Sequence, residues 1–347
     1  MIENPLVTVA IAAYNVEKYI KEGMKYVLNQ TYTNLEILLV DDGSTDNTST
    51  LCDEIAQQDV RVKVYHKENG GLGSARNVGI DQAKGEFIYF FDVDDSIELN
   101  LIEKNVKNAL KYDVDLVIFG YYARNCNENF EEAIELQEHL IHSNDDLKKI
   151  YAEELLWMKH GNGFAWNKFY RISFLKKYNF HFGTQRIQQD EPFNMQLYLK
   201  LKNVYISPDA YYHYVIYSNG NAGSKYLLDK EKIIIDVYDH FIKFYNEWNI
   251  NNDTVLDYIQ NRFVRGMYGV IIVNYYHTDC QLSKCEKKEK IKQILNDSKL
   301  KPILNNSYID KSNIVNMVLT YAFVHGHVQI LMLMVDIKRK IKRILKK

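Results

Sequence analysis

Apolar residues in the first 120 positions fall into two alternating patterns. "LVTVAIAA" (6–13), "LEILLVDD" (35–42), "VKVYHK" (62–67), "EFIYFFD" (86–92) and "VDLVIFGY" (114–121) are short, near-continuous apolar runs, the pattern of strands buried on both faces. Between them, "VEKYIKEGMKYVLNQ" (16–30), "TDNTSTLCDEIAQQD" (45–59) and "SARNVGIDQAK" (74–84) carry apolar residues at helical spacing. Strands alternating with helices predict right-handed crossovers and a mostly parallel sheet, an α/β fold. Such sheets bind ligands at the carboxyl ends of their strands. Polar clusters fall at three of those ends: Tyr14-Asn15 after the first strand, Asp41-Asp42-Gly43-Ser44 after the second, and Asp92, Asp94 and Asp95 after the fourth.

From about residue 145 the pattern changes. "DDLKKIYAEELLWMK" is helical in spacing, and "GNGFAWNKFYRISFLKKYN" is aromatic-rich and interrupted by Gly161 and Gly163. "SNGNAGSKY" (218–226) has loop composition. Beyond it "EKIIIDVYDHFIKFYNEW" and "TVLDYIQNRFVRGMYGVIIVNYY" read as long helices, and Ser283 with Glu286 forms a capping box for another. A boundary near 225 separates an α/β region from a helical one, and no internal repeat is visible.

At 347 residues, with 46% hydrophobic and 25% charged positions, the chain can bury one large or two modest cores. A net charge of −2 argues against nucleic acid as a partner. The opening "MIENPLVTVAIAAYN" has no basic leader region and reads as a first strand. Cys52, Cys126, Cys280 and Cys285 are too scattered for a zinc site and are expected as free thiols in a reducing cytoplasm.

A nicotinamide-binding domain fails at the first strand–helix turn, where "AAYNVEKY" lacks the glycines that admit a pyrophosphate. No GxxxxGK[ST] motif exists either, which excludes a P-loop. Asp92-Val93-Asp94 at a strand end suits a different ligand. Hard oxygen donors in an Asp-x-Asp pair bind Mg²⁺ or Mn²⁺ together with substrate phosphate oxygens. The competing reading is a solvated acidic turn.

"VAIAAYNVEKYI", "NQTYTNLEILLVDDGSTDNT", "ENGGLGSARNVGI", "AKGEFIYFFDVDD", "WNKFYR" and "QQDEPFN" stand in the order and spacing of family 2 glycosyltransferases. Over about residues 5–225 the chain resembles the bacterial, inverting enzymes of this family. The resemblance implies a GT-A fold: a Rossmann-like, mostly parallel sheet flanked by helices, with a C-terminal helical region. It implies a domain over 1–225, with a nucleotide-sugar half to about 120 and an acceptor half from 121, and a helical region over 226–347. The implied donor is a UDP-sugar bound with Mn²⁺ or Mg²⁺. Ala12 at the strand end would belong to the nucleotide-sugar site, Tyr14 would stack on or flank the uracil, and Asp42 would accept from its N3–H. Asn69, Gly71 and Arg76 would line the nucleotide sugar, with Arg76 countering diphosphate charge. Asp92 would meet ribose or sugar hydroxyls, Asp94 would ligate the metal, and Asp95 would support the sugar site or contact the sugar.

Asp190 is the implied catalytic base, in "QQDEPF" where relatives carry Glu-Asp-x-x-Phe; Gln189 replaces the Glu, and Glu191 is the alternative base. The acidic pair also suits the start of a helix. Trp166, Asn167 and Lys168 are expected near the acceptor, with Trp166 as a platform, or else in the core. His213 is a candidate second metal ligand, or else a packed imidazole. Val215 stands where many relatives carry an Arg.

The last ten residues hold seven Lys or Arg, and Ile337, Ile341, Ile344 and Leu345 share one helical face. This end, 336–347, reads as an interfacial helix attracted to an anionic membrane. The whole reading is a peripheral enzyme on the cytoplasmic face of a bacterial membrane, building surface polysaccharide on a glycan or lipid-linked oligosaccharide. The C-terminal helices are also a candidate homo-oligomer contact. The alternative is a membrane-docked assembly subunit that kept the fold and lost turnover.

Overall fold

The structure is a computed structural model that describes residues 4–125, 130–157, 163–185, 187–216 and 225–345. Cys126, Gly161, most of the 218–226 loop and the last two lysines lie outside the described residues. The chain forms two compact units, Met1–Gly223 with Lys243–Asn251 and Ser224–Ile242 with Asn252–Lys347.

The first unit is built on one sheet. Its strands are β1 (Val7–Ala13), β2 (Leu35–Asp41), β3 (Val62–His66), β4 (Phe87–Asp92), β5 (Ser96–Ile97), β6 (Leu116–Asn125), β7 (Glu131–Ile134), β8 (His139–Ile141), β9 (Lys168–Arg171) and β10 (Val204–Ile216). Their order is β3-β2-β1-β4-β9-β6-β10-β5, with β7 on β6 and β8 on β10. The β1–β2, β1–β4 and β2–β3 pairs are parallel, as the alternating pattern requires. The five apolar runs are β1, β2, β3, β4 and β6. The β6–β10 pair is parallel too, but β9 inserts between β4 and β6, antiparallel to both, and β5, β7 and β8 also pair antiparallel with their neighbours, so the sheet is mixed.

Helices α1 (Ile20–Leu28), α2 (Thr48–Gln58), α3 (Leu72–Gln82), α4 (Leu101–Tyr112), α5 (Asn144–Ile150), α6 (Ile172–Lys177) and α7 (Asp190–Tyr198) belong to this unit. Ile20, Gly23, Met24 and Val27 of α1 are buried at helical spacing, and Ile20, Met24 and Val27 join Val9, Ile11, Tyr89 and Phe91 in one core. Burial of such side chains stabilises by about 1.5–3 kcal/mol each before entropy is counted. At Gly23 an added Cβ would lie 2.1 Å from the Val93 carbonyl oxygen. Only glycine lets α1 approach the turn that carries Asp92, Asp94 and Asp95.

The remaining helices are α8 (Lys230–Glu247), α9 (Asp253–Ile272), α10 (Lys284–Leu295), α11 (Ile314–Val324) and α12 (Val328–Leu345). The second unit has its own core, including Phe263, Met267, Ile271, Leu319, Phe323, Leu331 and Val335. The Ser283–Glu286 capping box forms at the start of α10. Among the described residues no helix is long and apolar enough to cross a membrane.

Candidate active site

The ends of β1, β2 and β4 meet through hydrogen bonds. Ala12 lies between Val40 of β2 and Asp92 of β4 in the sheet register, and Tyr14 just beyond it is 49% exposed. Asn15 takes a left-handed conformation (φ 51°). Its N–H donates to Ser44 Oγ at 3.1 Å, and its Oδ1 accepts from the Thr45 N–H at 2.8 Å. The loops after β1 and β2 are therefore tied together.

Asp42 is enclosed by the 67–71 loop. Lys67 Nζ donates to its Oδ1 at 2.6 Å, the Gly70 N–H to the same oxygen at 3.0 Å, and the Gly71 N–H to Oδ2 at 2.7 Å. Asn69 Nδ2 reaches the Asp42 carbonyl at 2.9 Å. Three of the roughly four lone-pair positions of the carboxylate are thus taken, and Asp42 is 2% exposed. Gly71, at φ 86°, turns the loop into α3. Lys67 carried no motif signal beyond preceding "ENGGLGSAR", and Gly70 lies inside that stretch without a side chain to single it out.

Helix α3 carries Arg76 into the interior, where it is 2% exposed. Its Nη2 donates to Asp92 Oδ1 at 2.7 Å and its Nη1 to Asp190 Oδ1 at 2.5 Å. Burial weakens the guanidinium's hold on its proton, and Asp190 and Asp92 together reverse that, holding it more firmly protonated than usual. Asp190 opens α7, where Pro192 fits the first turn, and its Oδ2 accepts the Ala165 N–H at 3.2 Å. Burial pushes the Asp190 carboxyl above its ordinary value, and Asp92 adds to this. Arg76, the Ala165 N–H and Lys168 pull it part of the way back.

The three crowded aspartates thus have three environments. Asp92 is neutralised by Arg76. Asp95 points inward, accepting the Tyr212 hydroxyl at 2.6 Å and the Val215 N–H at 2.9 Å, and burial with the nearby Asp94 charge lifts its carboxyl well above the usual range. Asp94 stays exposed at the strand tip.

A family model described as "Glycosyl transferase family 2" matches residues 8–180. The chain is also 33% identical over 241 residues to the glycosyltransferase GlyG of Streptococcus pneumoniae serotype 4 (strain ATCC BAA-334 / TIGR4), covering 67% of this chain and 78% of that protein. The chain belongs to glycosyl transferase family 2. It is 35% identical over 219 residues to EpsH of Bacillus subtilis (strain 168), and the match spans 62% of each chain, a little under two thirds of EpsH. Residues 1–349 of S. aureus TarS, solved in complex with UDP-GlcNAc, match with a TM-score of 0.59 at 18% identity, over 96% of this chain and 91% of that one. The likeness is one of fold, and the architecture is GT-A.

Within this family 2 site several sequence expectations need correction. Asp95 is buried and ties the turn to β10 through both its oxygens, which is the supporting place of the two expected for it and not the sugar-contacting one. Arg76 offers no free charge to a diphosphate, because two carboxylates already share it. Trp166 is no platform: it is 3% exposed, and its ring stacks on Tyr212 at 4.1 Å and on Phe164 at 4.4 Å. Asn167 and Lys168 are also fully buried. Burial lowers the Lys168 ammonium to about 7, with Asp190 opposing that shift. His213 has both ring nitrogens against carboxylates, Glu98 at 3.0 Å and Glu131 at 3.1 Å, with its ring stacked on Tyr122, the packed arrangement and not that of a metal ligand. Gln189 is buried with its Oε1 unpartnered. Glu191 is buried on α7, and the ion pair to Arg76 belongs to Asp190.

Among the described residues no three His, Cys, Asp or Glu side chains gather as a metal cage. One exposed carboxylate at a strand tip fits a different arrangement, in which Mg²⁺ or Mn²⁺ takes most of its ligands from phosphate and water.

Proposed function

We propose that this protein is an inverting glycosyltransferase. It moves a hexose or N-acetylhexosamine from a UDP-sugar to a hydroxyl of a glycan or lipid-linked acceptor in cell-surface polysaccharide synthesis. The observation that carries the reading is the Arg76 bridge, which joins Asp190, at the start of α7, to Asp92 at the end of β4. A carboxylate held beside the strand ends where a nucleotide sugar would lie is where a base is needed. TarS, of the same fold, binds UDP and UDP-GlcNAc, which supports a uridine nucleotide as donor.

In this reading Tyr14, Asn69, Gly71 and Asp42 receive the nucleotide, and Asp92 meets hydroxyls of the donor. Asp94 would hold a divalent cation, which when bound supplies charge neutralisation of the departing diphosphate. Asp190 takes the proton of the acceptor hydroxyl as that oxygen forms its bond to the anomeric carbon. The bond from the anomeric carbon to the phosphate oxygen breaks, and its electron pair leaves with UDP. A single displacement inverts the anomeric centre. The raised carboxyl of Asp190 makes it a better proton acceptor than an ordinary aspartate.

The acceptor is set at an anionic membrane on the cytoplasmic side. Ile330, Leu333, Ile337 and Ile341 of α12 are exposed at i, i+3, i+7 and i+11, and so are Ile314, Met317 and Tyr321 of α11. Lys338 Nζ donates to Asn316 Oδ1 at 2.8 Å, which ties α12 to the first turn of α11. Exposed Lys338 and Lys340 flank this apolar face, and the pairing of apolar area with cationic charge suits anionic lipid.

The test is calorimetry with UDP and Mn²⁺, and UDP release from a panel of UDP-hexoses, on the wild type and on Asp94→Ala and Asp190→Asn. Metal-linked UDP binding that Asp94→Ala loses and Asp190→Asn keeps, with turnover only in the wild type, is expected. Binding without turnover for any donor would favour an assembly subunit, and no binding would remove the donor site.

A further inference from the structure

One peptide group stands between the Asp190 carboxylate and a buried lysine. The N–H of the Phe164–Ala165 peptide donates to Asp190 Oδ2 at 3.2 Å. The carbonyl of that same peptide accepts from Lys168 Nζ at 2.7 Å and from Asn194 Nδ2 at 3.1 Å. Lys168 also donates to Asn167 Oδ1 at 2.9 Å, and Asn194 Oδ1 accepts from the Tyr170 hydroxyl at 3.1 Å. Lys168 is 0% exposed and Asn194 2% exposed. Asn194 lies one helical turn beyond Asp190 on α7, so both ends of the peptide are referred to the same helix.

We propose that Lys168 is a positioning residue for Asp190, acting through the Phe164–Ala165 peptide. It anchors the carbonyl so that the N–H on the other side of the amide plane fixes the second carboxylate oxygen, while Arg76 fixes the first. Burying a lysine is expensive, since desolvating an ammonium is costly unless its charge is paired or hydrogen-bonded. Here the charge polarises the amide, because a cation at the carbonyl strengthens donation by the N–H. That steadies the ionised form of Asp190 and restrains its basicity.

The groups facing Asp190 are Arg76 from α3, Asp92 from β4, and Lys168 and Tyr170 from β9. Of these, Arg76 and Lys168 are the cations. Burial sets Lys168 near 7, so it is charged throughout the acid range in which a carboxylate base loses activity. Removing it takes away one influence that lowers the Asp190 value, and the titration of Asp190 then moves to higher pH.

The inference rests on Asp190 as the base, and two readouts keep the two ideas apart. The first is carboxyl ¹³C NMR of labelled aspartates, with the Asp190 signal assigned by its loss in Asp190→Asn; it needs no substrate. Lys168→Met should move the Asp190 midpoint to higher pH. Asn194→Ala, which removes a neutral donor from the same carbonyl, should leave it nearly in place. The second readout is UDP release from whichever UDP-hexose of the panel turns over. Lys168→Met should lower kcat about 10- to 100-fold with KM for the donor little changed, and Lys168→Gln, which keeps a donor without the charge, should recover much of the loss. Should Lys168→Met not fold, Lys168→Gln carries the titration and Asn194→Ala carries the kcat loss. An unmoved Asp190 midpoint in the charge-free variants overturns the proposal. A moved midpoint with full activity in Asp190→Asn would instead refute the base and leave the electrostatic link standing.

Discussion

Asp92 and Asp190 share a single guanidinium, and neither carboxylate has another cation within ion-pair distance among the described contacts. Removing that cation would leave two largely buried negative charges beside one another. Arg76→Met is therefore expected to destabilise the fold by about 3–5 kcal/mol, read as a lower midpoint in urea with the slope unchanged. Arg76→Lys supplies a point charge where a fork is required and should recover only part of that loss. The Asp190 environment also fixes the direction of the pH profile. Its carboxyl is raised by burial, and the base must be ionised to act. Activity should then fall, as pH is lowered, at a higher pH than the ordinary aspartate value near 4. A kcat/KM profile flat down to that value would contradict it. At this scale the sequence singled out candidate acids but not their partners. The pairing of Arg76 with Asp190 spans 114 positions, and the inward turn of Asp95 depends on a tyrosine 117 positions away. Such contacts leave no local spacing to read.

Helix α1 and the turn after β4 are in closer contact than any side chain allows, through Gly23. Gly23→Ala would force the Val93 carbonyl outward and shift Asp92 and Asp94 with it. We expect a loss of about 1–3 kcal/mol in stability together with weaker Mn²⁺-dependent UDP binding by calorimetry; unchanged binding would mean that α1 does not set the turn. Elements with a regular apolar run were legible: β1, β2, β3, β4 and β6 all coincide with such runs, as does the capped start of α10. Strand β9 was not. It has four residues, begins with a buried lysine and lies among aromatics with no alternation. Only pairing with β4 and β6 on both sides makes it a strand. The same insertion carries Trp166 into the core, which is why an aromatic that looked like a sugar platform is a packing residue.

The molecule combines a mixed-sheet unit bearing the candidate site with a helical unit that ends in an exposed apolar and basic face. If that face meets lipid, Leu333→Ser with Ile337→Ser, or Lys338→Glu with Lys340→Glu, should release the protein from phosphatidylserine vesicles in a flotation assay, and wild-type binding should weaken with added salt. Binding unaffected by either pair would assign the face to another role, such as self-association. The two-part organisation was visible in the sequence because the apolar period changes. Its boundary was less so, since residues 243–251 return to the first unit without any compositional mark. Donor and acceptor specificity rests on side chains at a few positions that no periodicity reveals. The central claim is that Asp190 takes the acceptor proton beside a nucleotide sugar held at the strand ends. Its most direct test is the single-turnover rate of sugar transfer by Asp190→Asn at saturating donor, with donor affinity measured alongside. The account predicts a loss of about 10²–10⁴-fold at unchanged affinity, and a rate within a few-fold of wild type would contradict it.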